Sequence, residues 1–315
     1  MNFRALVAAG ALLPALSPSA NAADGSAPPA DMAGMADQAG PVDVVSASKD
    51  LHDRMTVPVR IGQAGPFDFL VDTGSERTVL AQGIAMRLKL PTTGQGLLIG
   101  VAGTQLVDLV EVREINLGRR SFYDLTAPLL EEHNIGADGI IGLDSLQDQR
   151  VLLDFDKNRM AIGDAATLGG NRGYDIVVQA RRRSGQLIMT NALVDGVRTD
   201  IVIDTGSDSS MGNRALQRAL SKRRKGGTTQ LLSVTGQSIT ADISLVRELK
   251  LGSISMNNSV LVFADSPAFD KLEMVKRPAM FMGMNHLRLF HRVAIDFSTR
   301  RILFDLPKDT TPGSF

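Results

Sequence analysis

The sequence contains no cysteine and no tryptophan, and only two of its 315 residues are tyrosine. Without cysteine, the chain has neither a disulfide nor a thiolate metal site. Without tryptophan, and with so little tyrosine, it lacks the aromatic belt that marks a membrane interface. Stability must therefore come from apolar burial, for which a hydrophobic content of 43% is sufficient.

An excess of either charge is also absent. Lys plus Arg and Asp plus Glu both number 34, so the formal net charge is zero. A nucleic-acid partner requires a basic surface, and we therefore expect none. No glycine-rich phosphate loop is present, and the histidines show no metal-ligand spacing, so we expect no metal and no cofactor. The histidines are His52, His133, His286 and His291.

The first 22 residues have the pattern of an export signal. Arg4 supplies positive charge, an apolar run covers Ala5 to Leu16, and Ala20-Asn21-Ala22 offers the small residues of a cleavage site. The run is too short to span a bilayer. An N-terminal helix of the domain is the alternative, but no cap or amphipathic pattern supports it. We expect an exported protein, periplasmic or secreted, with no integral membrane segment after signal removal.

Residues 23–50 are rich in Ala, Gly, Pro, Ser and Asp and have no periodicity. This composition buries too little apolar surface to fold alone, so it predicts a disordered linker. A propeptide that covers a functional cleft is the alternative. The acidic content of residues 23–50 disfavours that alternative if the cleft is itself acidic, because like charges repel.

The most informative stretch is a tetrapeptide that occurs twice, as Asp72-Thr73-Gly74-Ser75 and as Asp204-Thr205-Gly206-Ser207. In both copies a short apolar run, typical of a buried strand, delivers the aspartate to a turn that glycine permits. One copy alone is more often a local turn or cap. Two copies in matched settings suggest two carboxylates brought face to face, and like charges that close do not both stay ionised.

The motifs belong to an internal duplication, because further segments match in the same order in both halves. These pairs are Val101–Thr104 with Val234–Gln237, Arg113–Gly118 with Arg247–Gly252, Gly139–Leu146 with Met280–Leu287, and Val151–Phe155 with Val293–Phe297. Two copies are too few for a solenoid. They predict two similar lobes packed about a pseudo-two-fold axis.

Alternating apolar residues and frequent turn signals favour strands with a few short helices, and hence an all-β fold. The predicted segments are an N-terminal lobe at 51–166, an inter-lobe linker at 167–184, a C-terminal lobe at 185–308 and a tail at 309–315. The short basic runs Arg181–Arg183 and Lys222–Lys225 are interpreted as solvated loops.

These features together resemble the aspartic proteases of the retropepsin-like kind, in a bacterial exported form with both lobes in one chain. The resemblance rests on the duplicated motif, on the glycine hairpin that follows each copy, and on Ile140-Ile141-Gly142 and Phe281-Met282-Gly283. It covers about residues 50 to 307. It implies two pseudo-two-fold-related β-barrel lobes of the acid protease fold.

The resemblance also implies a role for each motif residue. Asp72 and Asp204 would be the catalytic pair. The other six residues would support this pair: the threonines by bracing the lobes, the glycines by orienting the carboxylates through backbone donors, and the serines by bonding the outer carboxylate oxygens. These residues are Thr73, Gly74, Ser75, Thr205, Gly206 and Ser207. The flap over a bound peptide would contain Val101, Ala102, Gly103 and Thr104, with Thr235 and Gly236 in a second flap.

The implied activity is hydrolysis of peptide bonds in an extended polypeptide. In a pair that shares one proton, the ionised carboxyl takes a proton from water and the neutral one protonates the scissile carbonyl oxygen. We expect this activity at acid to mildly acid pH. Because one chain holds both aspartates, a monomer would suffice. Two alternatives stay open: a peptide-binding module without turnover, and a protease whose only substrate is its own linker.

Overall fold

The computed structural model describes residues 43–46, 48–49, 54–220 and 225–307. The predicted signal peptide, most of the predicted linker at 23–50 and the tail at 309–315 lie outside the described residues. Within the described part the chain is mostly β-sheet with only short helices, which confirms the predicted fold class. None of these helices is long and apolar enough to cross a membrane.

The first lobe is an eight-stranded sheet with the strand order β2-β3-β4-β9-β5-β8-β7-β6, and an additional pairing of β3 with β7 closes it into a barrel. The strands are β2 (Ser48–Lys49), β3 (Met55–Ile61), β4 (Ala64–Val71), β5 (Val79–Ala81), β6 (Thr92–Ile99), β7 (Thr104–Leu117), β8 (Arg120–Leu130) and β9 (Gly139–Ile141). Its helices are α1 (Gln82–Arg87), α2 (Glu132–Ile135) and α3 (Leu143–Leu146).

The second lobe repeats this topology strand for strand, in the order β13-β14-β15-β20-β16-β19-β18-β17, with β14 also paired to β18. The strands are β13 (Arg181–Arg183), β14 (Gln186–Val194), β15 (Val197–Ile203), β16 (Met211–Gly212), β17 (Lys225–Leu232), β18 (Ser238–Leu251), β19 (Ile254–Phe263) and β20 (Ala279–Met282). Its helices are α4 (Arg214–Ala219), α5 (Pro267–Lys271) and α6 (Met284–Leu287). The duplication read from the sequence is therefore a duplication of fold.

A third sheet of six strands joins the lobes, in the order β1-β11-β10-β21-β22-β12. Its strands are β1 (Asp43–Ser46), β10 (Arg150–Asp154), β11 (Arg159–Gly163), β12 (Ile176–Gln179), β21 (Arg292–Asp296) and β22 (Arg301–Asp305). The central pair, β10 and β21, takes one strand from each half and runs antiparallel. Across it a fully buried ion pair joins Arg150 to Asp296 at 2.7 Å.

Two predicted linkers contain strands. The end of the linker at 23–50 forms β1 and β2, and the linker at 167–184 contains β12 and β13. In each case the segment pairs with a strand distant in sequence, β1 with β11 and β12 with β22. A local composition rich in Gly and Ala hides such pairing, because an edge strand gains its stability from the partner it lies against.

The strands that lead to the two motifs are buried on both faces at their ends. Phe69, Leu70 and Val71 are all at most 2% exposed, as are Ile201, Val202 and Ile203 in the second lobe. β9 runs parallel to β4, and β20 runs parallel to β15. A strand that is buried on both faces has a continuous run of apolar residues, which is why an apolar run precedes both motifs.

Candidate active site

Each aspartate lies directly after a buried strand and is fixed there by the apolar-apolar-Gly segment of its own lobe. The backbone N–H of Asp72 donates to the carbonyl of Ile141 at 3.0 Å. The backbone N–H of Asp204 donates to the carbonyl of Met282 at the same distance. Both motif loops therefore leave the sheet at matching positions.

The glycines that follow these segments are required because two backbones pass very close together. A Cβ atom at Gly142 would collide with the carbonyl of Arg77. A Cβ atom at Gly283 would lie 2.6 Å from the carbonyl oxygen of Ser209. Glycine permits the segments to thread behind the motif loops, where any side chain would push the loops away.

The fold brings Asp72 and Asp204 together. A Cβ atom built on Gly74 would lie 2.8 Å from Asp204 Oδ1 and 3.1 Å from Asp72 Oδ1. The distance between the two oxygens is therefore at most the sum of these two distances. A Cβ atom on Gly206 would overlap the carboxylate of Asp72. The glycine of each motif thus lies against the carboxylate of the other lobe.

The two threonines cross-brace the motif loops. Thr73 Oγ1 donates to the carbonyl of Ile203 at 2.9 Å, and Thr205 Oγ1 donates to the carbonyl of Val71 at 2.6 Å. Each hydroxyl also accepts from the backbone N–H of the other threonine, at 3.0 Å and 3.3 Å. This reciprocal set ties the strand end of each lobe to the loop of the other.

Backbone donors orient the inner oxygens of the pair. Asp72 Oδ1 accepts from the N–H groups of Gly74 at 2.7 Å and Ser75 at 3.1 Å. Asp204 Oδ1 accepts from the N–H of Gly206 at 3.0 Å. Bonds to a charged acceptor are the stronger kind, so these donors hold both carboxylates in one orientation.

The serine hydroxyls do not bond the outer carboxylate oxygens, contrary to the expectation from the resemblance. Ser75 Oγ donates to the carbonyl of Arg77 at 2.8 Å, and Ser207 Oγ donates to the carbonyl of Ser209 at 2.8 Å. A carbonyl two residues ahead is the natural local acceptor for a serine in a turn. Within the described part of the chain, the Oδ2 atom of each aspartate is buried and accepts no hydrogen bond.

The environment of the pair favours protonation. Both aspartates are 0% exposed. Burial raises the pKa of Asp72 to about 7, although the N–H of Gly74 and the charge of Arg54 both oppose the rise. Burial also raises the pKa of Asp204 well above its usual range, and the negative charge of Asp72 raises it further. The pair therefore keeps a proton to higher pH than two exposed carboxyls would.

Two buried side chains near the motifs were not singled out from the sequence. Arg54 is 0% exposed and donates from Nη2 to the carbonyl of Ile135 at 2.7 Å. Gln186 is 1% exposed and donates from Nε2 to the carbonyl of Gly74 at 2.6 Å. Each stands the same number of residues before the aspartate of its own half. The two matched positions carry different side chains, so the duplication alone gave no signal for either of them.

A further hydrogen-bonded brace supports each motif loop from behind. In the first lobe Thr78 Oγ1 donates to Asp144 Oδ1 at 2.6 Å, and in the second lobe Ser210 Oγ lies 2.6 Å from His286 Nδ1. Both hydroxyls accept from the backbone N–H of the glycine that ends the apolar segment. Burial lowers the pKa of His286 to about 4, so the imidazole is neutral at neutral pH.

The two predicted flap hairpins contact each other. In the first, the N–H of Gly100 donates to the carbonyl of Gly103 at 2.8 Å. In the second, the N–H of Ser233 donates to the carbonyl of Gln237 at 2.8 Å. Gln237 Nε2 reaches across to the carbonyl of Thr104 at 3.5 Å. The hairpin tips are therefore packed together.

The first hairpin inserts into the second lobe. Val101 is 0% exposed and belongs to the apolar cluster of that lobe, together with Leu231 and Val262, while Ala102 packs at its edge. In the second hairpin Thr235 is 9% exposed, and Gly236 takes the positive φ of 76° that its turn requires. Since the aspartates are fully buried, a peptide reaches them only if the chain opens.

Within the residues that the structure describes, no group of three or more His, Asp or Glu side chains is placed to hold a metal ion. The site consists of the carboxylate pair, its backbone donors and the buried side chains around them.

Comparison with known families agrees with this geometry. The family model described as aspartyl protease matches residues 57–145 and 190–285, which is more than half of the chain, and each match contains one motif. A search of curated proteins returns no match. The two matched regions coincide with the two lobes, and the chain therefore belongs to the aspartyl protease family, in a two-lobed, retropepsin-like form.

Proposed function

We propose that the chain is an aspartic endopeptidase in which Asp72 and Asp204 activate one water molecule. The observation that carries this proposal is the mutual contact of the motifs, in which the glycine of each loop lies against the carboxylate of the other lobe. Two carboxyls held this close share a proton, because ionising both would place like charges side by side in a buried site.

The unequal surroundings of the pair suggest the division of labour. Backbone donors favour the ionised form of both carboxyls, and Asp72 gains in addition the attraction of Arg54. The charge of Asp72 in turn favours the neutral form of Asp204. Asp72 would therefore act as the base and Asp204 as the acid at the start of the reaction, within a pair that titrates as a unit.

In the first step Asp72 takes a proton from water, the water oxygen attacks the scissile carbonyl carbon, and Asp204 gives its proton to the carbonyl oxygen. In the second step Asp204, now ionised, removes a proton from a hydroxyl of the tetrahedral intermediate. Asp72 gives its proton to the amide nitrogen, and the C–N bond breaks. After both steps Asp72 is again ionised and Asp204 again holds the one proton of the pair, and no covalent intermediate forms.

The raised pKa values of the two carboxyls support an active form at a higher pH than the acid range expected from the resemblance. Below the pKa of Asp72, about 7, both carboxyls hold protons and no base is present. Above the pKa of Asp204 no acid is present. The rate should therefore rise as the pH increases toward about 7 and fall at higher pH, the bell shape of an acid–base pair.

The substrate would be an extended polypeptide, held between the motif loops and the two hairpins after these separate. One chain supplies both aspartates, so a monomer would suffice. Residues 1–22 suggest that the enzyme acts outside the cytoplasm, in the periplasm or after secretion.

The direct test is cleavage of a denatured protein pool by the full chain, from about pH 4 to about pH 9. Asp72→Asn and Asp204→Asn should each lower kcat/KM by a factor on the order of 10² to 10⁴. Asp124→Asn is the matched control, because this exposed aspartate has a φ of 52° that asparagine adopts readily. The control should retain wild-type activity.

The same experiment separates the alternatives. If the chain is a binding module without turnover, the wild type would bind peptides but cleave none at any pH. A self-processing protease would cut only between residues 23 and 55, which mass spectrometry of the purified chain would show. Equal activity in all three variants would refute the role of the pair.

A further inference from the structure

The second lobe contains a cavity of about 520 Å³ that has no part in the carboxylate pair. Five arginines line it with a single carboxylate: Arg181, Arg182, Arg183, Arg198, Arg277 and Asp200. The sequence pattern indicated a solvated loop at Arg181–Arg183. This interpretation is wrong in one respect, since the three arginines form strand β13 and line a concave site.

The sheet itself gathers these side chains. β13 pairs with β14 so that Arg181 lies opposite Ile188, and Arg183 projects to the same side as Arg181 because side chains alternate along a strand. On β15, Arg198 and Asp200 likewise share one side. Ile188, which is 3% exposed, supplies an apolar surface to the cavity. The arginines thus converge on this cavity from separate elements.

Three of the five arginines have carboxylate partners. These ion pairs join Arg277 to Asp200 at 2.9 Å, Arg183 to Glu273 at 2.8 Å and Arg182 to Asp148 at 3.5 Å. Glu273 and Asp148 are largely exposed, so water screens their charges. These pairs fix the positions of three guanidinium groups without adding a net charge.

The charges of the other two arginines are not balanced by a carboxylate among the described residues. Arg198 donates to the neutral carbonyl of Thr190 at 3.1 Å and to Asn191 Oδ1 at 2.8 Å, which orients its guanidinium group. Arg181 is exposed, and its side chain forms no hydrogen bond or ion pair with the residues that the structure describes. Two uncompensated positive charges therefore remain at one cavity, in a chain whose overall formal charge is zero.

We propose that this cavity binds a phosphate or pyrophosphate group that carries at least two negative charges. Arginine presents planar N–H donors whose geometry matches phosphate oxygens in pairs, and such charge-assisted bonds are the strong ones. A dianion balances the two remaining charges, whereas a single carboxylate leaves one of them unneutralised. The phosphate belongs either to a small soluble ligand or to a lipid headgroup, and both present the same chemistry to the arginines.

The test is calorimetric titration of the full chain with pyrophosphate at neutral pH, at an ionic strength held constant with chloride. The double variant Arg181→Gln/Arg198→Gln should weaken binding by about tenfold or more. Arg113→Gln/Arg247→Gln is the matched control, because it removes two exposed arginines from corresponding strands of the two lobes. This control should bind like the wild type.

A third variant separates the loss of the arginine donors from a failure to fold. Arg181→Lys/Arg198→Lys keeps both charges but loses the paired donors, so it should bind with intermediate affinity. Sedimentation with phosphatidic acid vesicles, against neutral phosphatidylcholine vesicles, identifies the source. Binding to vesicles that the double glutamine variant loses assigns a lipid headgroup, and pyrophosphate binding without vesicle binding assigns a soluble ligand.

The proposal is overturned if neither pyrophosphate nor anionic vesicles bind saturably. It is overturned equally if the control variant loses as much affinity as the cavity variant, since the effect would then be one of overall charge. None of these measurements involves peptide cleavage, so the fate of the protease proposal is decided separately.

Discussion

In the first lobe a buried arginine, Arg54, stands ahead of the motif aspartate, and in the second lobe Gln186 occupies the matching position. Behind the motifs the same contrast recurs, because Asp144 and Ser145 of the first lobe correspond to Asn285 and His286 of the second. The backbone frame is repeated strand for strand, whereas the buried polar side chains are not. The comparison teaches that the frame sets the position of the carboxylates, while the buried charges set which one holds the proton.

Replacing the two matching residues should expose this difference most strongly. Arg54→Met removes a buried charge and the donor to Ile135, so the free energy of unfolding should fall by about 4 kcal/mol. Gln186→Met removes only a neutral donor and should cost about 2 kcal/mol. Urea denaturation measures both losses.

The pH profile of cleavage then sharpens the same comparison. Arg54 favours the ionised form of Asp72, so Arg54→Met should move the acid limb of kcat/KM to higher pH. Gln186→Met should leave this limb in place. An equal shift in both variants would show that the lobes do not differ in this way.

The second prediction concerns stability against pH. The folded-state pKa of Asp72, about 7, is above its unfolded value of 3.8, so the folded chain loses stability relative to the unfolded chain as the pH rises between them. Asp72→Asn abolishes this loss. Its unfolding free energy relative to the wild type should increase by on the order of 3 kcal/mol from about pH 4 to about pH 7.

Urea denaturation across this range checks the result, with Asp124→Asn as the control that should show no trend. Asp204→Asn should show a gain of the same sign, because burial raises the pKa of Asp204 as well. If the unfolding free energy of either variant fell relative to the wild type as the pH rises, the assignment of a protonated pair would be contradicted.

The third prediction tests where the lobes are alike. Thr73→Val and Thr205→Val each leave a buried carbonyl and a buried N–H of the opposite lobe without a partner, so each should cost about 2 kcal/mol. Thr126→Val, at an exposed strand position, is the control and should stay within about 0.5 kcal/mol of the wild type. Losses that differ between Thr73 and Thr205 would break the two-fold symmetry of the brace.

The smallest effect is expected at the serines. Ser75→Ala and Ser207→Ala each remove one bond to a local carbonyl and should cost about 1 kcal/mol. Because these hydroxyls do not touch the carboxylates, the pH profile of cleavage should not move. A shift of either limb would mean that the serines bond the aspartates when peptide is bound.

Much of the fold followed from local patterns. Alternating apolar residues predicted an all-β fold, and the duplicated motif predicted two lobes in which a buried strand leads to each aspartate. These predictions succeeded because periodicity and turn residues record which side of a strand is buried. The strands at Asp43–Ser46 and Ile176–Gln179 were missed because each depends on a partner far away in sequence.

The candidate site divides in the same way. Asp72, Asp204 and their threonines were named from the motif alone, since the motif fixes its own loop. The contacts of Arg54 and of the serine hydroxyls depend on which carbonyl lies nearest after folding. No local pattern encodes that choice, and the matched positions of Arg54 and Gln186 carry different side chains in the two halves.

The sheet that joins the lobes has a consequence for how the molecule is held together. β10 and β21 come from different halves and are joined by a full antiparallel ladder and by the buried pair Arg150–Asp296. The connecting segment at residues 164–175 therefore contributes little to holding the two lobes together. If the chain were cleaved in that segment, its two halves would stay associated through this ladder, as the subunits of a dimer do.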